Sequence, residues 1–172
     1  MNAIIRSATA EDLTSLAALN RVVQDLHTEA EPSYFRSQIE PDEVEDFFSK
    51  VLSNKQMRLL IAEIAREAVG YIWFELQERP ATPFTNARKR VYIHHVVVSP
   101  SYRKIGVGIS LLRRVETEAR ACGITHVALD TWEFNEAAKE FFKHSGFDAF
   151  NIVMRKRIDI STASELPGKR SE

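Results

Sequence analysis

The chain has 172 residues, 44% hydrophobic and 27% charged, a composition that suits one packed domain and excludes a disordered or fibrous chain. Its 23 lysines and arginines nearly cancel 24 aspartates and glutamates, so the net charge argues for neither a nucleic-acid nor a membrane partner. One cysteine, Cys122, excludes an internal disulfide and a multi-thiolate metal site. It reads as a small apolar core residue, and a reducing cytoplasm is the expected compartment.

In chain order, MNAIIRSATAEDL holds no secretory hydrophobic stretch, and residues 3–8 read as a first strand. Thr9 to Asp12 forms a capping-box pattern, followed by Leu13, Leu16, Ala17, Val23, Leu26 and Ala30 at helical spacing. That stripe predicts a helix over 11–30 and is broken only by Asn20. Pro41-Asp42-Glu43 opens a second helix, faced by Val44, Phe47, Phe48, Val51 and Leu52. Segments 57–64 and 68–76 read as a hairpin turning at Arg66 and Glu67, and 77–89 as a polar loop. The run RVYIHHVVVS at 90–99 is dense in β-branched and aromatic residues, and Pro100 closes it as a strand. A helix over 106–123, a strand over 126–132, a helix over 136–144 and a last strand over 150–158 complete the order. The helix from 106 is a crossover of the right length to join two parallel strands, so an α/β fold on a mixed sheet is expected. Residues 1–160 are assigned to the domain and 161–172 to a flexible tail.

The chemistry-bearing stretch is Val97 to Gly108. A buried strand stops at Pro100, crosses a basic turn through Arg103 and Lys104, and enters a helix at Gly106-Val107-Gly108. Such a helix start presents unpaired amides and the positive end of the dipole, and glycines let an anion approach the backbone. It matches neither of the common nucleotide-binding glycine patterns. On the residues alone, glycines that serve packing and a basic pair that only solvates the turn remain open.

These residues carry a resemblance. Arg103, Gly106 and Gly108 fit the pattern (Arg or Gln)-x-x-Gly-x-(Gly or Ala), and Asn135, Ala138, Phe141, Gly146 and Phe147 fit a second pattern downstream. With its order of elements, the chain over about residues 3–157 resembles the GCN5-related N-acetyltransferase (GNAT) superfamily. The resemblance implies a mostly antiparallel central sheet with helices on both faces and one parallel strand pair that splays apart. It also implies acetyl-CoA as acyl donor. Its pyrophosphate would be held by the amides of Arg103, Lys104, Ile105, Gly106, Val107 and Gly108, and its pantetheine arm by the strand edge at Val96, Val97 and Val98. The thioester carbonyl would then face an amide of Val97 or Val98. Asn135 is a coenzyme-side residue or a helix cap, and Phe141 a core residue or a cofactor contact.

The activity so implied is N-acetyl transfer, by direct attack in a ternary complex, to a primary amine of a small molecule or an exposed amino group. The alternatives are a non-catalytic acyl-CoA sensor and transfer of a longer acyl group. Direct attack needs a base, and the candidates are His94 and His95, because imidazole titrates near neutrality. Strand alternation places Tyr92, His94, Val96 and Val98 on one face and Ile93, His95 and Val97 on the other, unless a bulge exchanges the phase. His94 is favoured because its position resembles that of a water-relayed glutamate base in polyamine acetyltransferases of the superfamily. Where the superfamily often has a tyrosine acid the chain has Phe142, leaving Tyr92, Tyr102 and His144 as substitutes. Residues 27–40 and 77–89 are the expected acceptor walls, with Glu29, Glu31, Glu40, Tyr34 and Phe35 suited to a protonated amine bearing an apolar portion. The last strand is a candidate for pairing two subunits into a homodimer.

Overall fold

The computed structural model describes residues 3–158. The tail expected over 161–172 lies outside the described residues. The sheet runs in the order β1 (Ile4–Ser7), β2 (Met57–Ile64), β3 (Glu67–Arg79), β4 (Arg88–Val98), β5 (Val127–Leu129). Every neighbouring pair is antiparallel except β4 and β5, which are parallel and joined by a crossover helix. The helices are α1 (Leu13–Ala30), α2 (Pro41–Ser53), α3 (Val107–Ala121) and α4 (Glu136–His144). This is the mixed, mostly antiparallel architecture that the sequence predicts.

Alternation on the central strands feeds a core on each face of the sheet. On one face Leu60, Ile72, Phe74, Val91 and Ile93 pack under Val107, Leu111 and Val115 of α3. On the other, Leu59, Ile61, Tyr71 and Val97 pack under Leu16 and Leu19 of α1 and Phe48 of α2. Asn20, the polar break in the α1 stripe, faces this second core because its Oδ1 accepts from the Tyr71 hydroxyl at 3.0 Å. A buried donor keeps the polar residue there. The capping box also forms: the Thr9 amide donates to Asp12 at 2.7 Å. Arg6 clamps Asp12 through two bonds of 2.8 Å and Glu63 at 3.0 Å, joining the entry of α1 to β1 and β2. The Arg6 guanidinium holds the Asp12 carboxyl below the usual range.

Several boundaries differ from the sequence reading. The hairpin turns one residue early, at Ala65 and Arg66, both left-handed (φ 51° and 67°), the geometry of a two-residue turn. The expected loop 77–89 is ladder at both ends and loop between: β3 reaches Arg79 and β4 starts at Arg88, held by Lys89–Glu78 at 2.6 Å and Arg90–Gln77 at 2.8 Å. Cross-strand polar pairs stabilise this exposed ribbon, and apolar periodicity cannot register them. Cys122 is exposed at the end of α3 rather than in the core. The strand expected over 150–158 does not form. Phe150, Ile152, Val153, Met154 and Ile158 are 76–96% exposed, so its strand propensity finds no ladder to join.

One glycine is required by close approach. A β-carbon at Gly70 would lie 2.6 Å from the Val97 carbonyl oxygen. Gly70→Ala is therefore expected to push β4 away and destabilise the fold by about 1–3 kcal/mol. A urea titration checks this: an unchanged midpoint would mean that the β3–β4 approach is looser than described.

Candidate active site

Strands β4 and β5 pair only at Val91–Val127, Tyr92–Ala128 and Ile93–Leu129, then part. The cause lies in β4. Trp73 pairs with His95 while Phe74 pairs with Ile93, so His94 is an extra residue, a β-bulge. The bulge exchanges the phase: Val91 and Ile93 face α3, and so do Val96 and Val98 beyond it. Simple alternation does not survive this point. Both histidine rings instead meet Trp73, His94 stacked on it at 4.2 Å and His95 edge-on at 5.2 Å.

The bulge also leaves backbone groups open. Ser99 donates its amide to Val69 O at 2.8 Å, which fixes the phase of the β4 backbone. Since polar groups alternate sides along a strand, those of His95 and Val97 point to β3 and those of Val96 and Val98 into the gap. The Val98 carbonyl accepts from Arg103 Nε at 3.1 Å across that side. Of the strand-edge candidates, then, Val96 and Val98 line the gap with main-chain groups, and Val97 contributes a buried side chain to the α1–α2 core.

Below the gap, Pro100–Tyr102 makes a short 3-10 turn, Lys104 and Gly106 take left-handed conformations (φ 62° and 92°), and α3 begins at Val107. Ser110 donates to Gly106 O at 3.0 Å to close the first helical turn. The amides of Gly106, Val107, Gly108 and Ile109 precede that bond and have no intrahelical acceptor. A β-carbon at Gly106 would meet nothing within 4 Å, so its surroundings are open. Gly108 differs: a β-carbon there would lie 3.0 Å from the Phe141 ring. Phe141 thus backs the helix entrance as part of the α3-side core. Asn135 caps α4, accepting from the Ala138 amide at 3.1 Å, which leaves its amide nitrogen for another contact.

The two histidines differ in electrostatics. His94 Nε2 lies 3.3 Å from Glu75 Oε2, which orients the ring as a carboxylate–imidazole pair and leaves Nδ1 as the second ring nitrogen. His95 Nδ1 lies 3.0 Å from the Tyr71 hydroxyl, which itself donates to Asn20. With that proton spent, Tyr71 accepts from Nδ1–H, so the Nε2 of His95 carries the lone pair. His95 is pushed down to about 4, first by burial and then by the nearby charges of His94 and His27. As pH falls below about 6.5 the unfolded chain protonates this ring and the folded one does not, so stability is lost across the interval down to about 4. A flatter melting-temperature profile between pH 7 and 5 is expected for His95→Gln. A profile parallel to that of the unsubstituted chain would contradict the assignment.

Each of the substitute acids already has a hydrogen-bond partner. The Tyr92 hydroxyl donates to Asp130 and is pushed up to about 12 by burial and that carboxylate. Tyr102 donates to Glu67 at 2.8 Å, and His144 Nδ1 sits 2.7 Å from Glu140 O within α4. Phe142 packs on Phe141 and Phe147. The sequence reading does not single out Trp73, Glu75, Tyr71 or His27, and gives Asn20 only as a break in the α1 stripe. Glu75, an acid facing the strand of the histidines, was the signal available. Among the described residues no group of His, Cys, Asp and Glu is placed to hold a metal ion, and no helix is long and apolar enough to cross a membrane.

Comparison with known proteins agrees with this fold. A family model described as Acetyltransferase (GNAT) family matches residues 20–147. Over 93 residues the chain is 24% identical to the uncharacterized N-acetyltransferase YycN of Bacillus subtilis, a match that spans 54% of this chain and 56% of that protein. A tetramutant of the BH1408 protein from Bacillus halodurans superposes with a TM-score of 0.84 at 26% identity, covering 90% of this chain and 99% of that one. The aminoglycoside N-acetyltransferase AAC(6')-Iy, in a complex with CoA, shares the fold with a TM-score of 0.73 at 18% identity, covering 91% of this chain and 95% of that one.

Proposed function

The chain belongs to the acetyltransferase (GNAT) family, and from that premise we propose that it moves an acyl group, an acetyl group first among them, from coenzyme A to a primary amine. The observation that carries this reading is the pairing of two features: a gap lined by the main chain of Val96 and Val98, and a helix entrance of free amides at Gly106 to Ile109. A diphosphate fits the second, with Arg103 and Lys104 at its rim. A peptide-like pantetheine arm fits the first, as an added strand would. AAC(6')-Iy, a protein of the same fold, is found in a complex with CoA, which supports coenzyme A as the ligand.

In this reading an amide of Val96 or Val98 donates to the thioester oxygen as charge builds on it during attack. His94, oriented by Glu75, takes the proton of the incoming ammonium through Nδ1, directly or through water. His95 is too weakly basic for that task near neutrality and serves as a neutral acceptor at the floor of the cleft. The thiolate departs without a side-chain acid, which a coenzyme A thiol tolerates because ordinary thiols ionise near pH 8.5, and the second proton of the attacking nitrogen passes through solvent to the thiolate.

That missing acid also favours a second reading, a non-catalytic acyl-CoA module. Acetyl-CoA offered with a panel of primary amines, with release of free thiol as the readout, separates the two. Amine-dependent thiol release supports transfer. Binding of acetyl-CoA with no release above the amine-free rate supports the module.

A further inference from the structure

The mouth of the parted strands is bordered by aromatic rings from two loops. His27 at the end of α1 and Tyr34 and Phe35 just beyond it meet Trp132 and Phe134, which follow β5. Their arrangement has a definite shape. His27 lies nearly parallel to Phe35 (4.7 Å, 18°) and Trp132 nearly parallel to Phe134 (5.9 Å, 21°). The two pairs stand almost at right angles, with Phe35 to Trp132 at 71° and His27 to Phe134 at 76°. Together they make a corner with aromatic walls. None of these rings is buried, and Tyr34 is 66% exposed, so this is not a sealed secondary core. The corner also follows the end of the β4–β5 pairing: Leu129 pairs with Ile93, the residue before His94, and Trp132 comes three positions later.

The charges around the corner narrow what it accepts. The sequence suggested that acids in the first loop would hold a cation, but the carboxylates flanking the rings are engaged. Glu31 pairs with Arg155, Glu133 with Lys139 at 3.0 Å, and Asp130 accepts from the Tyr92 hydroxyl. Burial keeps His27 uncharged at neutral pH. A polycation therefore finds neutral aromatic faces here, beside carboxylates of which Glu31, Glu133 and Asp130 already have partners. A flat uncharged ring finds a face on one wall and an edge on the other, the two geometries in which aromatic pairs attract.

Resting on the acyl-transfer reading above, we propose that the acceptor is a primary amine carried on a short chain by a flat, uncharged aromatic group. The ring seats in the corner of Phe35, Trp132 and Phe134, and the amine points inward to His94 and His95. The acceptor is thereby set apart from polyamines and aminoglycosides, including the class named for AAC(6')-Iy, whose fold this chain shares.

The test compares 2-phenylethylamine, spermidine and neamine as acceptors with acetyl-CoA, using the full chain. A kcat/KM for phenylethylamine about tenfold or more above the others is expected. Trp132→Ala should raise KM for phenylethylamine by about tenfold with little change in kcat, and Trp132→Phe should restore most of the loss. A spermidine or neamine preference, or a Trp132→Ala effect equal for all three, overturns the assignment and leaves acyl transfer standing. If coenzyme A binds but no amine is acetylated, the transfer reading fails by itself. Calorimetry of the coenzyme-loaded protein then decides the corner: tighter binding of phenylethylamine than of spermidine supports it, and the reverse order overturns it.

Discussion

Replacing His94 by alanine is expected to lower turnover by about 10²–10³-fold while leaving affinity for coenzyme A within about twofold. The ring makes no contact with the helix entrance. It stacks on Trp73 and reaches Glu75, on the opposite side of the bulge from Val96 and Val98. Its loss therefore removes a proton acceptor and not a coenzyme contact. The pH profile carries the sharper signature. A base acts in its unprotonated form, so kcat/KM should rise with pH, and that ascending limb should vanish in His94→Ala. Glu75→Gln should weaken the reaction by less, since it removes the orienting charge and keeps the ring. His95→Gln should keep the ascending limb, because His95 is already neutral well below the physiological range. If the limb survives in His94→Ala and disappears in His95→Gln, the roles given to the two rings are reversed.

The second large effect is expected at Gly106. Gly106→Val should cost coenzyme A affinity by about 10²-fold or more and fold stability by about 1–3 kcal/mol. Position 106 sits at φ 92°, which a β-branched residue tolerates poorly. Apart from the adjoining chain, nothing lies within 4 Å of the would-be β-carbon, so the added side chain fills the open space that a diphosphate would use. Gly108→Ala provides the contrast. Its methyl group would press on Phe141 at 3.0 Å, so the cost falls first on the packing of α3 against α4 and shows in the melting temperature. Calorimetry and thermal melts of the two variants separate the roles. Equal losses of affinity from both would mean that the two glycines serve the ligand alike.

The sheet and its helices were legible because their signals are local. Helical stripes at Leu13 to Ala30 and Val44 to Leu52, and the dense β-branched run ending at Pro100, are each written within a single element. Asn20 was legible as an exception, but its reason lay in Tyr71, fifty-one positions away. The same limit explains the misread ends. The ribbon through Arg79 and Arg88 depends on cross-strand polar pairs, and the segment 150–158 has strand-like residues but no neighbour to pair with. At the site, the glycine turn could be read from spacing alone. The bulge at His94 could not, because it is a mismatch between the registers of two strands. That mismatch brings both histidines to Trp73 and turns Val96 and Val98, rather than Val97, toward the gap. The acids of the first loop were read as free for a cation. Glu31 is instead neutralised by Arg155, from the far end of the chain.

Backbone amide shifts in isotope-labelled protein, followed as coenzyme A is added, test the binding geometry most directly. The largest changes are expected at Lys104 to Ile109, where the helix entrance meets the diphosphate, with a second group at Val96 and Val98 along the gap. Changes confined to other surfaces, with residues 104–109 unmoved at saturation, would contradict the assignment of the cradle and the acyl-transfer chemistry built on it.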